Sequence, residues 1–239
     1  MTLRYPILFF DADETLLDFR RAEKEALAKT LSAWGVSPLE EACARYRRIN
    51  DQLWRDFEKG EVTKEEIESQ RFARLFAQLG FPGDGVACNR DYLDALGQQG
   101  FLLPGAEALC RRLSELGASL YIVTNGISRT QYSRLRLSGL DRWVKEMFVS
   151  EDCGAQKPFR QYFQAVFHRL YGDGEPPRGQ MLLVGDSLTS DIQGAKNAGI
   201  ASCWYNPGGK PCTGPLPDYE VSCLEQILPI VQGEPGGGR

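Results

Sequence analysis

Residues Ile7–Phe19 read ILFFDADETLLDF. Four apolar residues run directly into Asp11, and Asp13 and Glu14 follow within three positions. An unbroken apolar run of this kind is what a strand covered on both faces requires, as in parallel sheets. It ends in a crowd of acids. Two like charges about 4 Å apart repel by about 4 kcal/mol at an effective dielectric of about 20. The strand end therefore needs positive charge from elsewhere in the chain, or one acid must carry a proton.

Similar runs recur downstream. With Tyr5–Phe10 they are Ser119–Val123 (SLYIV), Met181–Val184 (MLLV), Ile200–Tyr205 (IASCWY) and a weaker Tyr219–Val221. Helical patterns separate them: Ala106–Leu116, Ser128–Leu137, Arg160–Leu170 and Thr189–Ala198. Gly139 and Gly199 stand where helices end in a left-handed residue. Strand alternating with helix predicts an α/β fold with a doubly wound parallel sheet.

Residues 18–99 carry no strand run. Asp18 is placed to cap a helix with Phe19, Ala22, Ala26 and Leu27 on one face. Ser37-Pro38-Leu39-Glu40 and Thr63-Lys64-Glu65-Glu66 read as capping boxes, the first with Pro at the opening helical position. The stripes behind them carry Tyr46, Leu53, Trp54 and Phe57, then Ile67, Phe72, Leu75 and Phe76. We therefore expect an α/β core domain over 1–16 and 103–232 and an inserted all-α cap domain over 17–102, set over the C-terminal edge of the sheet. Hinges are expected near Leu17–Asp18 and Gly97–Leu103, and a disordered Gly-rich tail over 233–239.

Composition bounds the partners. A net charge of −4 with no dense basic run disfavours a nucleic-acid polymer. No segment nears the ~18 apolar residues of a membrane span, and the first ten residues do not read as a secretory signal. Seven cysteines at irregular spacing, none in a C-x-x-C, fit reduced thiols in a cytoplasmic protein and not a disulfide frame or zinc site. The one histidine, His168, falls mid-helix, which leaves phosphohistidine chemistry without support.

Ligands of open α/β sheets bind beyond the C-terminal strand ends. Here those ends carry Asp11-Ala12-Asp13, Thr124-Asn125-Gly126 and Gly185-Asp186, with Asp191 five residues on. Lys157-Pro158 precedes the helix between the second and third, and Pro158 suits a first helical turn. Each piece alone is common. Their order and their placement on one edge point to a single site.

FDADET (10–15), VTNG (123–126), QKPFRQYF (156–163) and VGDSLTSD (184–191) resemble the four motifs of the haloacid dehalogenase superfamily of phosphohydrolases, in the right order. The resemblance spans the chain to about residue 230 and extends to the helical insert, which is similar to that superfamily's cap. It implies that Asp11 is the nucleophile, forming an aspartyl-phosphate, and that Asp13 is the general acid and then base. Two steps along an extended chain return a side chain to the same face, so both acids can reach one phosphoryl group. It implies Mg²⁺ held by Asp11, Asp186 and the Asp13 backbone carbonyl, with Asp191 orienting a metal-bound water. Lys157, Thr124 and the backbone amides of Asn125 and Gly126 would bind the phosphoryl oxygens.

The proton donor at Asp13 favours phosphate esters over carbon–halogen bonds, because the dehalogenase branch lacks an acid there. Glu14 stands where Gly or Asn is usual in the superfamily, and FFDADETLLDF with Glu resembles the pyrimidine 5′-nucleotidase branch. LWRDFEKGEVT (53–63), LPGAEALC (103–110), RLRLSGL (134–140) and SDIQGAKNAGIASCWYN (190–206) are similar to that branch as well. A small-molecule phosphomonoester, in particular a nucleoside monophosphate, is the expected substrate. Phe19 is the candidate for substrate contact, while Trp54, Phe57 and Phe72 serve either base stacking or the cap core. Alternatives are a capped phosphatase for a sugar or sugar-acid phosphate such as phosphoglycolate, a phosphosugar mutase, or a phospho-Asp signalling domain.

Overall fold

Among residues 2–234, which the computed structural model describes, six strands form one sheet. They are β1 (Ile7–Phe10), β2 (Ser119–Thr124), β3 (Val144–Val149), β4 (Met181–Gly185), β5 (Ala201–Tyr205) and β6 (Tyr219–Val221). The order is β3-β2-β1-β4-β5-β6, and every pairing is parallel. Phe10 lies between Ile122 of β2 and Val184 of β4. The chain winds outward to β3 on one side of β1 and to β6 on the other. The topological switch point therefore falls at β1 and β4, where such sheets open a crevice.

Alternate side chains enter two separate cores. Leu8 and Phe10 join Leu120, Ile122, Leu182 and Val184 on one face. That face is covered by α5 (Ala106–Glu115) through Leu109 and Leu113, and by α10 (Ile227–Gln232) through Ile227 and Val231. Phe9 faces the other way with Val123, Phe148 and Leu183. There α8 (Arg160–Tyr171) contributes Tyr162, Phe163 and Val166, and α9 (Gln193–Ala198) contributes Ala195 and Ala198. Burial on both sides is why β1, β2 and β4 read as continuous apolar runs.

The strand β3, VKEMFV, departs from that pattern and from the expected strand set. It is an edge strand, and its first half is only partly covered. Lys145 and Glu146 break the apolar run and bond outward, to the Ser119 hydroxyl and to Arg169. Such charges suit an edge, where unpaired backbone must be kept from other chains. A second departure concerns the expected helix Thr189–Ala198. It opens as a π-helical turn, Leu188–Ile192, before α9 begins at Gln193. The other α-helices described in this part are α6 (Ser128–Ser138) and the short α7 (Ser150–Cys153). Gly139 and Gly199 both adopt the expected left-handed cap.

The chain divides into two compact units, Met1–Asp18 with Leu102–Arg239, and Phe19–Phe101. Within the first, Leu17 and Leu102 form an antiparallel bridge and the Leu103 amide donates to the Leu16 carbonyl at 2.9 Å. The segments leaving and re-entering the α/β unit thus run side by side. Gly233 caps α10, the Glu234 amide donates to the Pro229 carbonyl, and 235–239 of the expected tail lie outside the described residues.

The second unit holds α1 (Phe19–Ala33), α2 (Leu39–Lys59), α3 (Lys64–Leu79) and α4 (Gly85–Gly97). Tyr46, Phe72 and Tyr92 meet at its centre, with ring centroids 4.8–5.5 Å apart. Phe57 and Phe72 are buried, which makes them core residues of this unit. The Thr63 capping box forms in full: the Thr63 hydroxyl accepts from the Glu66 amide and the Glu66 carboxylate from the Thr63 amide. The box expected at Ser37 does not. The helix begins at Leu39, one residue late, so Pro38 occupies the cap position and offers no side-chain acceptor. Among the described residues no helix is long and apolar enough to cross a membrane. The seven cysteines are free thiols, and His168 is exposed.

Candidate active site

The first strand continues its pairing one residue past its end. The Asp11 amide donates to the Val184 carbonyl at 2.9 Å. The chain then turns sharply: the Leu16 and Leu17 amides both donate to the Ala12 carbonyl, at 3.0 and 2.8 Å. Ala12 points into the core, while Asp11 and Asp13 stand on either side of it. Closing the turn puts Glu14 at φ +58°, in the left-handed region. A side chain costs about 1–2 kcal/mol there, which is the physical reason Gly or Asn is the easier choice.

The ammonium of Lys157 sits at the bottom of the site, 1% exposed. It donates to Asp11 Oδ1 at 2.5 Å, to Asp191 Oδ1 at 2.7 Å and to the Val123 carbonyl at 2.8 Å. All three protons are thereby used. Its backbone is gripped by the Asn125 side chain. Asn125 Oδ1 accepts from the Lys157 amide and Asn125 Nδ2 donates to the Lys157 carbonyl, both at 2.9 Å. Pro158 was expected in the first turn of α8, but it lies two residues ahead of Arg160, after a cis Lys157-Pro158 bond. Thus Lys157 is placed by Asn125 of the β2 loop, not by a helix entrance.

Asp186 follows β4, and its carbonyl accepts from the Trp204 indole at 2.9 Å. Asp191 comes from the π-helical turn. Its Oδ2 accepts from the Ser187 amide at 3.1 Å and its Oδ1 from Lys157. A Cβ at Gly185 would fall 2.2 Å from Asp191 Oδ2, so only glycine lets this carboxylate close on the end of β4. Carboxylate oxygens of Asp11, Asp186 and Asp191 lie within 4.8 Å of one another.

Three acids share one ammonium. Burial raises the Asp11 carboxyl well above the usual carboxylate range; Lys157 opposes this, while Asp191, Asp186 and Asp13 add to it. Burial likewise pushes Asp186 up to about 7, helped by Asp191 and Glu14 against Lys157 and Lys210. For Lys157, burial pulls the value down, but Asp11 and Asp191 outweigh it and hold the ammonium charged. The cluster is short of positive charge. An all-oxygen donor set of this kind fits a hard divalent cation.

Thr124, at the end of β2, is buried. Its hydroxyl oxygen accepts from the Gly126 amide and from Gln131 Nε2, each at 3.0 Å. Both lone pairs are occupied, which leaves the O–H proton to donate. The Gly126 amide, expected to face a phosphoryl group, is therefore engaged within its own loop.

Two residues absent from the expected set grip Asp13. Gln131 Nε2 donates to its Oδ2 at 2.6 Å, and Arg134 Nη1 to its Oδ1 at 2.5 Å. Arg134 also donates to Gln131 Oε1 at 3.1 Å. Both come from the inner face of α6. The sequence signal was present but inverted: the buried face of this helix carries Thr130, Gln131 and Arg134 with a single Leu135, where an apolar stripe is normal. Phe19, the expected substrate contact, belongs to the helical unit and is half-buried there.

A family model described as haloacid dehalogenase-like hydrolase matches residues 5–199. HAD-hydrolase YfnB of Bacillus subtilis is 41% identical over 97% of both chains. Its solved structure, described as bound to magnesium, superimposes with a TM-score of 0.87 over 95% of this chain and 99% of that one. Pyrimidine 5′-nucleotidase PynA of Streptococcus pneumoniae is 39% identical over 94% of each chain. Pyrimidine 5′-nucleotidase YjjG of Escherichia coli is 32% identical over 94% of this chain and 97% of its own.

Proposed function

Since the chain belongs to the haloacid dehalogenase-like hydrolase family, we propose that it hydrolyses phosphomonoesters through an aspartyl-phosphate on Asp11. Pyrimidine nucleoside 5′-monophosphates, noncanonical ones included, are the proposed substrates. The observation that carries the chemistry is the charge-deficient cluster of Asp11, Asp186 and Asp191 around one buried Lys157. The names borne by PynA and YjjG support the substrate class.

An Asp11 carboxylate oxygen attacks phosphorus, and the bond from phosphorus to the ester oxygen breaks with its electron pair. Asp13 gives that oxygen a proton and is left as carboxylate. It then takes a proton from the water that attacks the aspartyl-phosphate. Phosphate leaves, and Asp11 and the protonated Asp13 are restored. Throughout, Lys157 keeps positive charge beside Asp11, and the Thr124 hydroxyl donates to a phosphoryl oxygen. Losing one such preorganised donor costs about 3–4 kcal/mol of transition-state stabilisation. Mg²⁺ would be held by Asp11, Asp186 and the Asp13 carbonyl, with Asp191 behind, and supplies the charge that lets a carboxylate approach an anionic phosphoryl group. The free thiols support a reducing compartment, the cytoplasm.

A phosphate-release screen tests this reading, with UMP, dUMP and TMP beside sugar phosphates, in Mg²⁺ and in EDTA. We expect nucleotides to turn over fastest, only with the cation, and Asp11→Asn to release no phosphate while keeping its circular dichroism. Sugar phosphates outrunning every nucleotide would overturn the substrate. Turnover by Asp11→Asn would overturn the nucleophile.

A further inference from the structure

The Gln131–Arg134 pair has no part in the scheme above, yet it is the most tightly built contact to Asp13. Each Asp13 oxygen accepts from a different donor, Oδ2 from Gln131 at 2.6 Å and Oδ1 from Arg134 at 2.5 Å. The two donors are themselves joined, Arg134 to Gln131 at 3.1 Å. The Arg134 side chain is 1% exposed, while that of Asp13 is 28% exposed. The grip thus comes from the protein side and leaves the carboxylate open to a ligand.

Gln131 does more than hold Asp13. Its single amide nitrogen also donates to Thr124 Oγ1 at 3.0 Å. One side chain therefore sets the spacing between the proton-transfer group and the hydroxyl assigned to the phosphoryl group. Gly126 makes room for it: a Cβ there would fall 2.1 Å from Gln131 Nε2. Burying a guanidinium costs several kcal/mol unless it is paired. An ion pair that merely tied α6 to the β1 turn would need neither the second donor nor the link to Thr124.

We infer that Gln131 and Arg134 are positioning residues for proton transfer. They hold the Asp13 carboxylate at a fixed place relative to Thr124, so that it meets the leaving oxygen as the phosphorus–oxygen bond breaks. The inference rests on the reading of Asp13 as acid and base.

Leaving-group dependence tests it, because only a poor leaving group needs the proton. The measured quantity is kcat/KM, which reports the step that forms the aspartyl-phosphate, over a series from p-nitrophenyl phosphate to simple alkyl phosphates. General acid catalysis contributes about 10²–10⁴-fold, so Arg134→Met is expected to slow alkyl esters by about 100-fold and p-nitrophenyl phosphate by about 3-fold. Gln131→Met is expected to show the same selectivity at about 10-fold, and Arg134→Lys to recover part of the alkyl rate. Gln131→Met carries the test if Arg134→Met does not fold. Equal losses across the series, or none, in the folded variants would overturn the inference and leave a structural ion pair. Asp13→Asn is the reference. If it slows all esters equally, the acid–base reading fails first and the positioning role falls with it.

Discussion

Among the described residues each unit buries a cluster of polar groups around one cation, and their charge accounts differ. In the helical unit Arg71 is 2% exposed. It donates to Asn89 Oδ1 at 2.6 Å and Asn50 Oδ1 at 3.3 Å, and its guanidinium carbon stands 4.9 Å from the centre of the Tyr92 ring. Asn50 passes the contact on to Glu23 and Asn89 to Glu68, at 3.3 and 3.4 Å. One cation is thus wired through two amides to carboxylates, with all four helices contributing. In the α/β unit one cation, Lys157, faces Asp11, Asp186 and Asp191. The first arrangement joins its groups to one another, with only Arg71 Nη2 making no hydrogen bond. The second carries surplus negative charge, which adds to burial in raising Asp11 and Asp186. A buried charge by itself marks nothing; an unbalanced group of them marks a place built for a ligand.

Removing the cation from each cluster is the strongest way to break that contrast. Lys157→Met should lower kcat by about 10²–10³-fold, the scale of a lost preorganised donor at a developing charge. Arg71→Met should leave kcat of the folded protein within about 3-fold and instead lower stability by about 3 kcal/mol, the cost of breaking a buried charged network. Phosphate-release kinetics and urea unfolding on the same preparations read both. If folded Arg71→Met were as inactive as Lys157→Met, the helical cluster would not be structural and the contrast would collapse.

Asp186 sharpens the same contrast by its sign. Its folded-state carboxyl is raised to about 7 from 3.8. Below about pH 4 both folded and unfolded forms are protonated and the group is neutral to stability. As pH rises toward 7 the unfolded chain ionises first, so the metal-free fold pays an increasing penalty, complete above the folded value. In EDTA at pH 8, Asp186→Asn should therefore be more stable than the parent, by up to about 4 kcal/mol if the whole shift is expressed, and by less at pH 5. Mg²⁺ should shrink that gap, because binding at about 100 times Kd adds about 2.7 kcal/mol only where the site is intact. Thermal melts at the two pH values, with and without the cation, decide it. An Asp186→Asn protein that melts lower than the parent in EDTA at pH 8 would contradict the surplus.

How much of this could be read from the chain alone follows from where each residue sits. Asp11, Thr124 and Asp186 end strands covered on both faces, so the break from apolar to polar is sharp and the three stand out. The strand β3 was invisible because an edge admits Lys145 and Glu146 into the run. Gln131 and Arg134 reach Asp13 across 118 and 121 residues, so the polar stripe of α6 is unusual without naming its partner. The Arg71 cluster hid for a related reason. Asn50 and Asn89 look like solvent-facing amides within amphipathic helices until the four helices are brought together. The π-helical turn that aims Asp191 has no sequence rule behind it, and the carboxylate it carries comes so close to the end of β4 that only glycine fits at 185.

The gentlest probe compares two helix caps, one in each unit. The Thr63 hydroxyl accepts from the Glu66 amide at 3.2 Å at the start of α3. The Ser187 hydroxyl accepts from the Ser190 amide at 3.1 Å at the start of the π-helical turn. Replacing such a cap by alanine costs about 1 kcal/mol wherever it occurs. Thr63→Ala and Ser187→Ala should thus lose similar stability. Only Ser187→Ala should change the chemistry, because the turn it caps carries Asp191, whose Oδ1 holds Lys157 and whose Oδ2 is held by the Ser187 amide. A looser turn should raise the Mg²⁺ concentration for half-maximal activity by up to about fivefold, the equivalent of that same 1 kcal/mol, while Thr63→Ala leaves it unchanged. Equal Mg²⁺ requirements in the two variants would mean that the Ser187 side chain stabilises the fold without aiming the carboxylate, leaving that task to its backbone amide and to the glycine at 185.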